Sequence, residues 1–252
     1  MTDPGSGGSP AAVRQADGAD GVVVIPAYRE EANLTAVIGR VRDQLPGATI
    51  VVVDDCSPDR TAAVGRAAGA IVLSHPINLG DGAARQTGFK YAVRLDARWI
   101  VQLDGDGQHQ PESIPALLAP ILADEADLVI GSRFLGVGDY RAQRGRRIGM
   151  RVFAAIASWA TGRQITDPTS GFRAMNRRAY RFFCGSAYPQ WYPDADVLIA
   201  AYRAGLRLSE IPVLMRQSAT GQTIHAGLRP LYYVYKMALS IFVTMLRGDR
   251  AT

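Results

Sequence analysis

The sequence predicts an α/β fold: an open, mostly parallel central sheet with helices on both faces. Three observations carry that expectation. Residues 21–26 (GVVVIP), 49–53 (TIVVV) and 99–103 (WIVQL) are continuous apolar runs, as strands buried on both faces should be. The stretches between them have helical spacing. The two kinds of segment alternate, which is the order that builds a parallel sheet through helical crossovers.

Taken in order, each element has its own signal. After the strand at 21–26, residues 30–45 place Leu34, Val37, Ile38, Val41 and Leu45 on one helical face. The strand at 49–53 ends in Asp54-Asp55. A short Ala-rich helix follows at 59–68 and a third strand at 70–73. The turn Asn78-Leu79-Gly80-Asp81-Gly82 opens a helix at 80–95. The fourth strand, 99–103, ends at Asp104. Pro111 suits the first turn of a helix over 111–123, and 128–130 is a fifth strand. Beyond Gly131 the alternation loosens, leaving helices at 147–160 and 194–204 and a late strand at 208–213. There is no repeat and no linker, so residues 21–227 read as one domain.

The flanks read differently. Residues 1–20 are rich in Gly, Ala, Ser, Pro and Asp and lack an apolar core, so they read as a disordered tail and not a signal peptide. Residues 228–247 read as an amphipathic helix. Its least polar stretch, LYYVYKMALSIFVTML, has 16 residues including Lys236. A membrane span needs about 20. The helix belongs either in the core or in a membrane interface, and Arg229, Arg247 and Arg250 around it favour the interface.

Composition narrows the function. With 48% hydrophobic and 20% charged residues, collagen-like, coiled-coil and wholly disordered chains are excluded. Two cysteines, Cys56 and Cys184, cannot form a disulfide framework and fit reduced thiols in a cytoplasmic compartment. The formal net charge is +5. Residues 132–152 contain six arginines (133, 141, 144, 146, 147 and 151) against Asp139 alone, so that segment holds the whole excess. Arginine forks suit phosphate. A phosphorylated ligand or an anionic membrane surface fits this segment. Nucleic acid does not, because no stacking aromatics interleave the basic residues.

The chemistry lies at strand ends, where open α/β sheets bind ligands. Three polar clusters arrive there: residues 26–30 (PAYRE), 54–57 (DDCS) and 104–109 (DGDGQH). Asp104 and Asp106, one small residue apart, can face one hard cation such as Mg²⁺ or Mn²⁺, with Gln108 and His109 spaced to extend the shell. DGDG also reads as a plain turn. The dinucleotide fingerprint, the P-loop and the serine-hydrolase elbow are all missing, and the three histidines lack zinc spacing.

In order, VVIPAYREEANL, VVVDDCSPDRTA, NLGDGAARQTGF, VQLDGDGQHQPESIP, IGSRF, DPTSGFRAMNRRA and EIPVLMRQSATGQTI resemble the motifs of family 2 glycosyltransferases with the GT-A fold. The nearest branch contains dolichol-phosphate mannose synthase and the polyprenyl-phosphate glycosyltransferases. The resemblance implies a GT-A Rossmann-like domain. It also implies that Pro26, Tyr28, Glu30 and Asp55 line the nucleotide pocket and that Asp104, Asp106 and Gln108 hold Mg²⁺ or Mn²⁺ against the donor diphosphate. Arg133 would reach an acceptor phosphate, with Arg146 and Arg147 on a basic helix nearby. Three departures stand out. Cys56 occupies a usual glycine. Ser218 occupies a usual arginine, which leaves Arg216 as the candidate diphosphate contact. Thr223 replaces a usual serine.

The implied reaction is an inverting, metal-dependent transfer of a hexose or N-acetylhexosamine from a UDP- or GDP-linked sugar. The acceptor would be a polyprenyl phosphate of the undecaprenyl or dolichol type. The enzyme would be peripheral on the inner face of the cell membrane, with room for a small membrane partner. A soluble transferase acting on a sugar or natural-product hydroxyl is the alternative. It needs a carboxylate base, for which Asp194 and Asp196 are the candidates. Both also fit a helix cap and first turn.

Overall fold

The computed structural model describes residues 20–136, 144–190, 193–216, 236, 239–241 and 243, with backbone alone at 144–149. Seven strands form one sheet in the order β3-β2-β1-β4-β6-β5-β7. They are β1 (Gly21–Ala27), β2 (Thr49–Asp54), β3 (Ile71–Ser74), β4 (Trp99–Gln102), β5 (Leu128–Ser132), β6 (Arg173–Asn176) and β7 (Leu208–Pro212). β1 pairs in parallel with β2 and β4, β2 with β3, and β5 with β7. β6 alone is antiparallel, to β4 and β5.

The helices are α1 (Leu34–Gln44), α2 (Thr61–Ala67), α3 (Asp81–Arg94), α4 (Ile114–Leu122), α5 (Arg144–Thr161), α6 (Arg177–Phe183) and α7 (Ala195–Arg203). Because successive strand residues point to opposite faces, β1 feeds two cores. Val22 and Val24 join Ala84, Phe89 and Ala92 of α3 and the inner faces of α5, α6 and α7. Val23 and Ile25 join Leu34, Val37, Ile38 and Val41 of α1 and Leu117 and Leu118 of α4. All seven residues of β1 are buried, which is why the run reads as unbroken apolar sequence.

Some sequence expectations shift. The helix expected at 111–123 is a 3₁₀ turn, Pro111–Ser113, followed by α4. The helix expected from Glu30 begins at Leu34, after a turn in which the Glu30 carbonyl accepts from the amides of Asn33 and Leu34. β6 and α6 were not expected, because RAMN has a buried arginine at its first position and lacks an apolar alternation. The tail at 1–19 lies outside the described residues. So does most of the helix expected at 228–247; its described residues are helical, with Ile241 in the core and Leu239 and Val243 exposed. No helix among the described residues is long and apolar enough to cross a membrane.

Candidate active site

The carboxyl ends of β1, β2 and β4 emerge along one sheet edge. There the Glu30 amide donates to Thr61 Oγ1 (2.8 Å), and Asp59 also binds that hydroxyl, so the β1 loop is fastened to the start of α2. Pro26 is buried in β1, Tyr28 is exposed, and Arg29 lies over the Tyr28 ring. Burial pushes the Glu30 carboxyl up, against a hydrogen bond from Asn33, and Asp104 pushes it further the same way. Asp55 is buried, and its oxygens accept from the amides of Leu79 and Gly80 (both 2.8 Å). His75 Nδ1 meets the same carboxylate at 2.7 Å, and its Nε2 meets Thr87 Oγ1 at 2.9 Å. Asp55 therefore anchors the turn into α3, where Gly80 takes a left-handed φ of 97°. This anchoring is invisible in the sequence motif.

Asp104 sits where this edge is most crowded. Arg85, on α3, grips Asp81 through Nε (3.0 Å) and reaches Asp104 Oδ1 through Nη2 (3.3 Å). Burial alone would raise the Asp104 carboxyl, but the surrounding cations hold it below its ordinary range. Of the groups that lower it His109 stands first and Arg85 next, though the burial that drives the imidazole toward its neutral form cuts the share of His109. Its Nδ1 accepts the Asp104 amide (3.1 Å), its ring stacks on Phe172, and burial pushes it toward the neutral form. It packs inward and does not extend a cation shell through that nitrogen. Burial first, and then Asp104, push the Asp106 carboxyl up to about 7. Asp106 Oδ1 accepts the Gln108 amide (2.9 Å), closing the turn. Arg85 was missed by sequence reading, since an arginine on a helix gives no local sign that it is buried.

The other expected residues are placed in four different ways. Arg133 is buried, its Nε and Nη2 both 2.6 Å from Asp167 and its Nη2 2.8 Å from Thr169 Oγ1. Glu210 holds the Asp167 loop in turn, accepting the amides of Thr166 and Asp167. Arg216 is exposed, with its amide bonded to the Gln108 carbonyl (2.8 Å), and His109 bridges to Met215, so this segment lies directly against the 104–109 turn. Asp194 takes the N-cap position of α7 without a side-chain capping bond. Asp196 is buried in the first turn. Its Oδ1 accepts the amides of Asp194 and Val197, Ser240 donates to its Oδ2, and burial raises its carboxyl. The side chains of Arg146 and Arg147 lie outside the described residues, though their backbone is helical.

Among the described residues, no three His, Cys, Asp or Glu side chains gather as a complete cation cage. Asp104 and Asp106 nevertheless fit a hard divalent cation. Mg²⁺ takes one or two carboxylates and completes its shell with substrate phosphates and water. Two carboxylates close enough for one to raise the other are the charge excess that such an ion relieves.

The fold is that of a GT-A transferase. The model of "Glycosyl transferase family 2" matches residues 22–183, and the chain belongs to that family. It is a nucleotide-sugar-dependent hexosyltransferase. The polyprenol monophosphomannose synthase of Mycolicibacterium smegmatis is 32% identical, covering 94% of this chain and 91% of its own. The undecaprenyl-phosphate mannosyltransferase of Micrococcus luteus is also 32% identical, covering 82% and 87%. Among solved structures, glucosyl-3-phosphoglycerate synthase from Mycobacterium tuberculosis, in complex with Mn²⁺, UDP-glucose and phosphoglyceric acid, has the same fold. Its TM-score is 0.68, at 22% identity over 97% of this chain and 85% of that one.

Proposed function

We propose that the protein transfers a hexose or N-acetylhexosamine from a UDP- or GDP-linked donor to a polyprenyl phosphate, with inversion at the anomeric carbon. The observation that carries the reading is the Asp104/Asp106 pair near a deeply held Arg133, in a chain that matches two polyprenyl-phosphate mannosyltransferases over 94% and 82% of its length. Pro26, Tyr28, Glu30 and Asp55 bound the nucleotide side of the edge. Asp104 and Asp106, with Gln108, would hold Mg²⁺ or Mn²⁺. When bound, that ion supplies Lewis-acid stabilisation of the departing nucleoside diphosphate. Arg216, packed on the same turn, supplies the diphosphate contact in place of the arginine missing at Ser218.

On the acceptor side, Arg133 would reach the phosphate; Asp167 holds its Nε and Nη2 and its Nη1 lies 3.9 Å from Met215 Sδ, so the phosphate would take the place of one of these partners. Arg146 and Arg147 follow on α5. A phosphate oxygen is already anionic at neutral pH, so the displacement needs no strong base. This agrees with Asp196, whose two oxygens are occupied by protein donors. The hydroxyl-acceptor alternative would need Asp194 as its base.

A lipid acceptor places the enzyme on a membrane surface, here the cytoplasmic face, with a small membrane partner as a further component. The exposed apolar residues Trp159 (74% exposed) and Val152 on α5, and Leu239 and Val243 on the C-terminal helix, suit an interface. The deciding experiment incubates purified protein with Mn²⁺, undecaprenyl phosphate in detergent, and radiolabelled UDP- and GDP-sugars. Label entering the organic phase, and abolished by EDTA, is expected. Metal-dependent donor hydrolysis without organic label would instead point to a hydroxyl acceptor and promote Asp194 and Asp196 to candidate bases.

A further inference from the structure

The DPTSGFR segment begins with Asp167, whose grip on Arg133 is described above, but its last residue, Arg173, has none of those roles. Arg173 is 1% exposed, at the first position of the antiparallel strand β6. No carboxylate hydrogen-bonds it among the described contacts. Its three nitrogens go to three carbonyls instead: Nε to Ser170 (2.8 Å), Nη2 to Pro168 (3.2 Å) and Nη1 to Pro193 (3.2 Å). Burying a guanidinium is costly, and an apolar side chain of similar size would usually stabilise a core better. What the guanidinium adds is a rigid fork that reaches two separate loops at once.

Those two loops carry the site. Residues 167–171 begin with Asp167, which grips Arg133, and end with Gly171, packed so tightly on Asp104 that a Cβ there would lie 2.8 Å from its Oδ2. Pro193 precedes Asp194 and the buried Asp196. Directly beside Arg173, as its partner in the β4–β6 ladder, Gln102 donates to the Gly171 carbonyl (2.7 Å). Gln102 is completely buried, and its Oε1 finds no partner among the described residues. An orphaned buried acceptor is a net cost. That cost makes sense where the amide's other end fixes something the reaction needs.

We propose that Arg173 and Gln102 are positioning residues, a two-part staple that sets the distance between Asp104, Arg133 and the Asp194 loop. They touch neither donor nor acceptor. The inference rests on the reading of the site as a sugar-nucleotide transferase, and it goes beyond that reading by naming residues that hold the acceptor side against the donor side.

The test uses the full chain with Arg173→Lys and Gln102→Met. Lysine keeps the charge but cannot span three carbonyls. Methionine keeps the volume and removes the orphaned acceptor, so Gln102→Met should melt as cooperatively as the parent and serves if Arg173→Lys does not fold. Calorimetry with UDP and GDP in Mn²⁺ reads the donor side. Transfer to undecaprenyl phosphate, set against donor hydrolysis, reads the coupling. Expected is nucleoside-diphosphate affinity within about threefold of the parent and kcat for transfer down about 100-fold for Arg173→Lys, since misplacement by about 1 Å costs that much. The lipid-phosphate KM should rise, and Gln102→Met should show a smaller loss of the same kind. Transfer that stays at the parental rate, or that falls only in step with nucleotide affinity or thermal stability, would overturn the proposal. Failure of the parent protein to bind either nucleotide would instead strike the functional reading itself.

Discussion

Two carboxylates at opposite edges of the sheet, Asp127 and the half-buried Asp106, are treated in opposite ways. At the edge away from the site, Asp127 precedes β5 and ties together the end of β6 and the start of β7. It accepts from Asn176 Nδ2 (2.7 Å), from the Arg207 amide (2.8 Å) and from the Arg207 and Arg178 guanidiniums. Burial alone would raise its carboxyl, but these donors outweigh that and hold it down at about 2. At the site edge, burial and a neighbouring carboxylate push Asp106 up to about 7, against a hydrogen bond from the Gln108 amide. One edge is saturated by its own chain. The other holds Asp55 as fully but leaves Asp106 with a raised carboxylate that its own chain does not compensate.

Left-handed backbone shows the same contrast. Away from the site, the non-glycine residues with positive φ are Asp96 and Asp124, of a type that tolerates this region. At the site they are Arg29 and Cys56, which tolerate it poorly. A saturated edge uses residues suited to their conformations, while the site edge bears strain beside its chemistry.

The largest expected effect lies at the incomplete edge. Asp104→Asn should lower metal-dependent transfer by about 10³-fold or more, because the carboxylate is needed where charge develops on the leaving group. Circular dichroism and melting should remain near the parent. Transfer at more than a tenth of the parental rate would show that Asp104 does not carry the metal.

Asp127→Asn should do the reverse: little change in nucleotide affinity but a loss of stability of about 1–2 kcal/mol, discounted because the arginine partners reach into solvent. Urea unfolding measures it. The sign of the pH dependence follows from the lowered carboxyl. Its stabilisation is fully present above the unfolded value near 3.8 and is lost as pH falls through about 2. Asp106 should show the opposite slope in metal-free protein. A raised carboxyl destabilises the fold above about 7, and that penalty disappears as pH falls from 7 toward 4. Melting temperature in EDTA should therefore rise on mild acidification, and Asp106→Asn should flatten the rise. A slope unchanged in Asp106→Asn would place the titration elsewhere.

How much of this was legible follows from where the signal lies. β1, β2 and β4 are readable because strands buried on both faces must be apolar throughout. The Asp104-Asp106 pair is readable because two carboxylates one residue apart at a strand end are local. Arg85, Arg173 and Gln102 are not, because a buried polar side chain is defined by partners distant in sequence: Gln102 meets Gly171 across 69 residues. β6 was hidden for the same reason, since its first residue is that buried arginine.

The smallest effect tests whether strain at the site edge is functional. Cys56 has φ 59°, in the position where the family usually has glycine. A side chain in the left-handed region costs about 1–2 kcal/mol, and glycine's extra freedom in the unfolded chain returns about 0.5–1 kcal/mol of that. Cys56→Gly should therefore stabilise by about 0.5 kcal/mol. The thiol is exposed, and its recorded contact is the Pro76 carbonyl at 3.6 Å, so the change removes little packing. Transfer should be unaltered, because Asp55 is held by Leu79, Gly80 and His75 and not by its neighbour's conformation. A stabilised variant with slower transfer would mean that the strained turn itself aims Asp55. The contrast between the edges would then concern stored strain as much as missing charge.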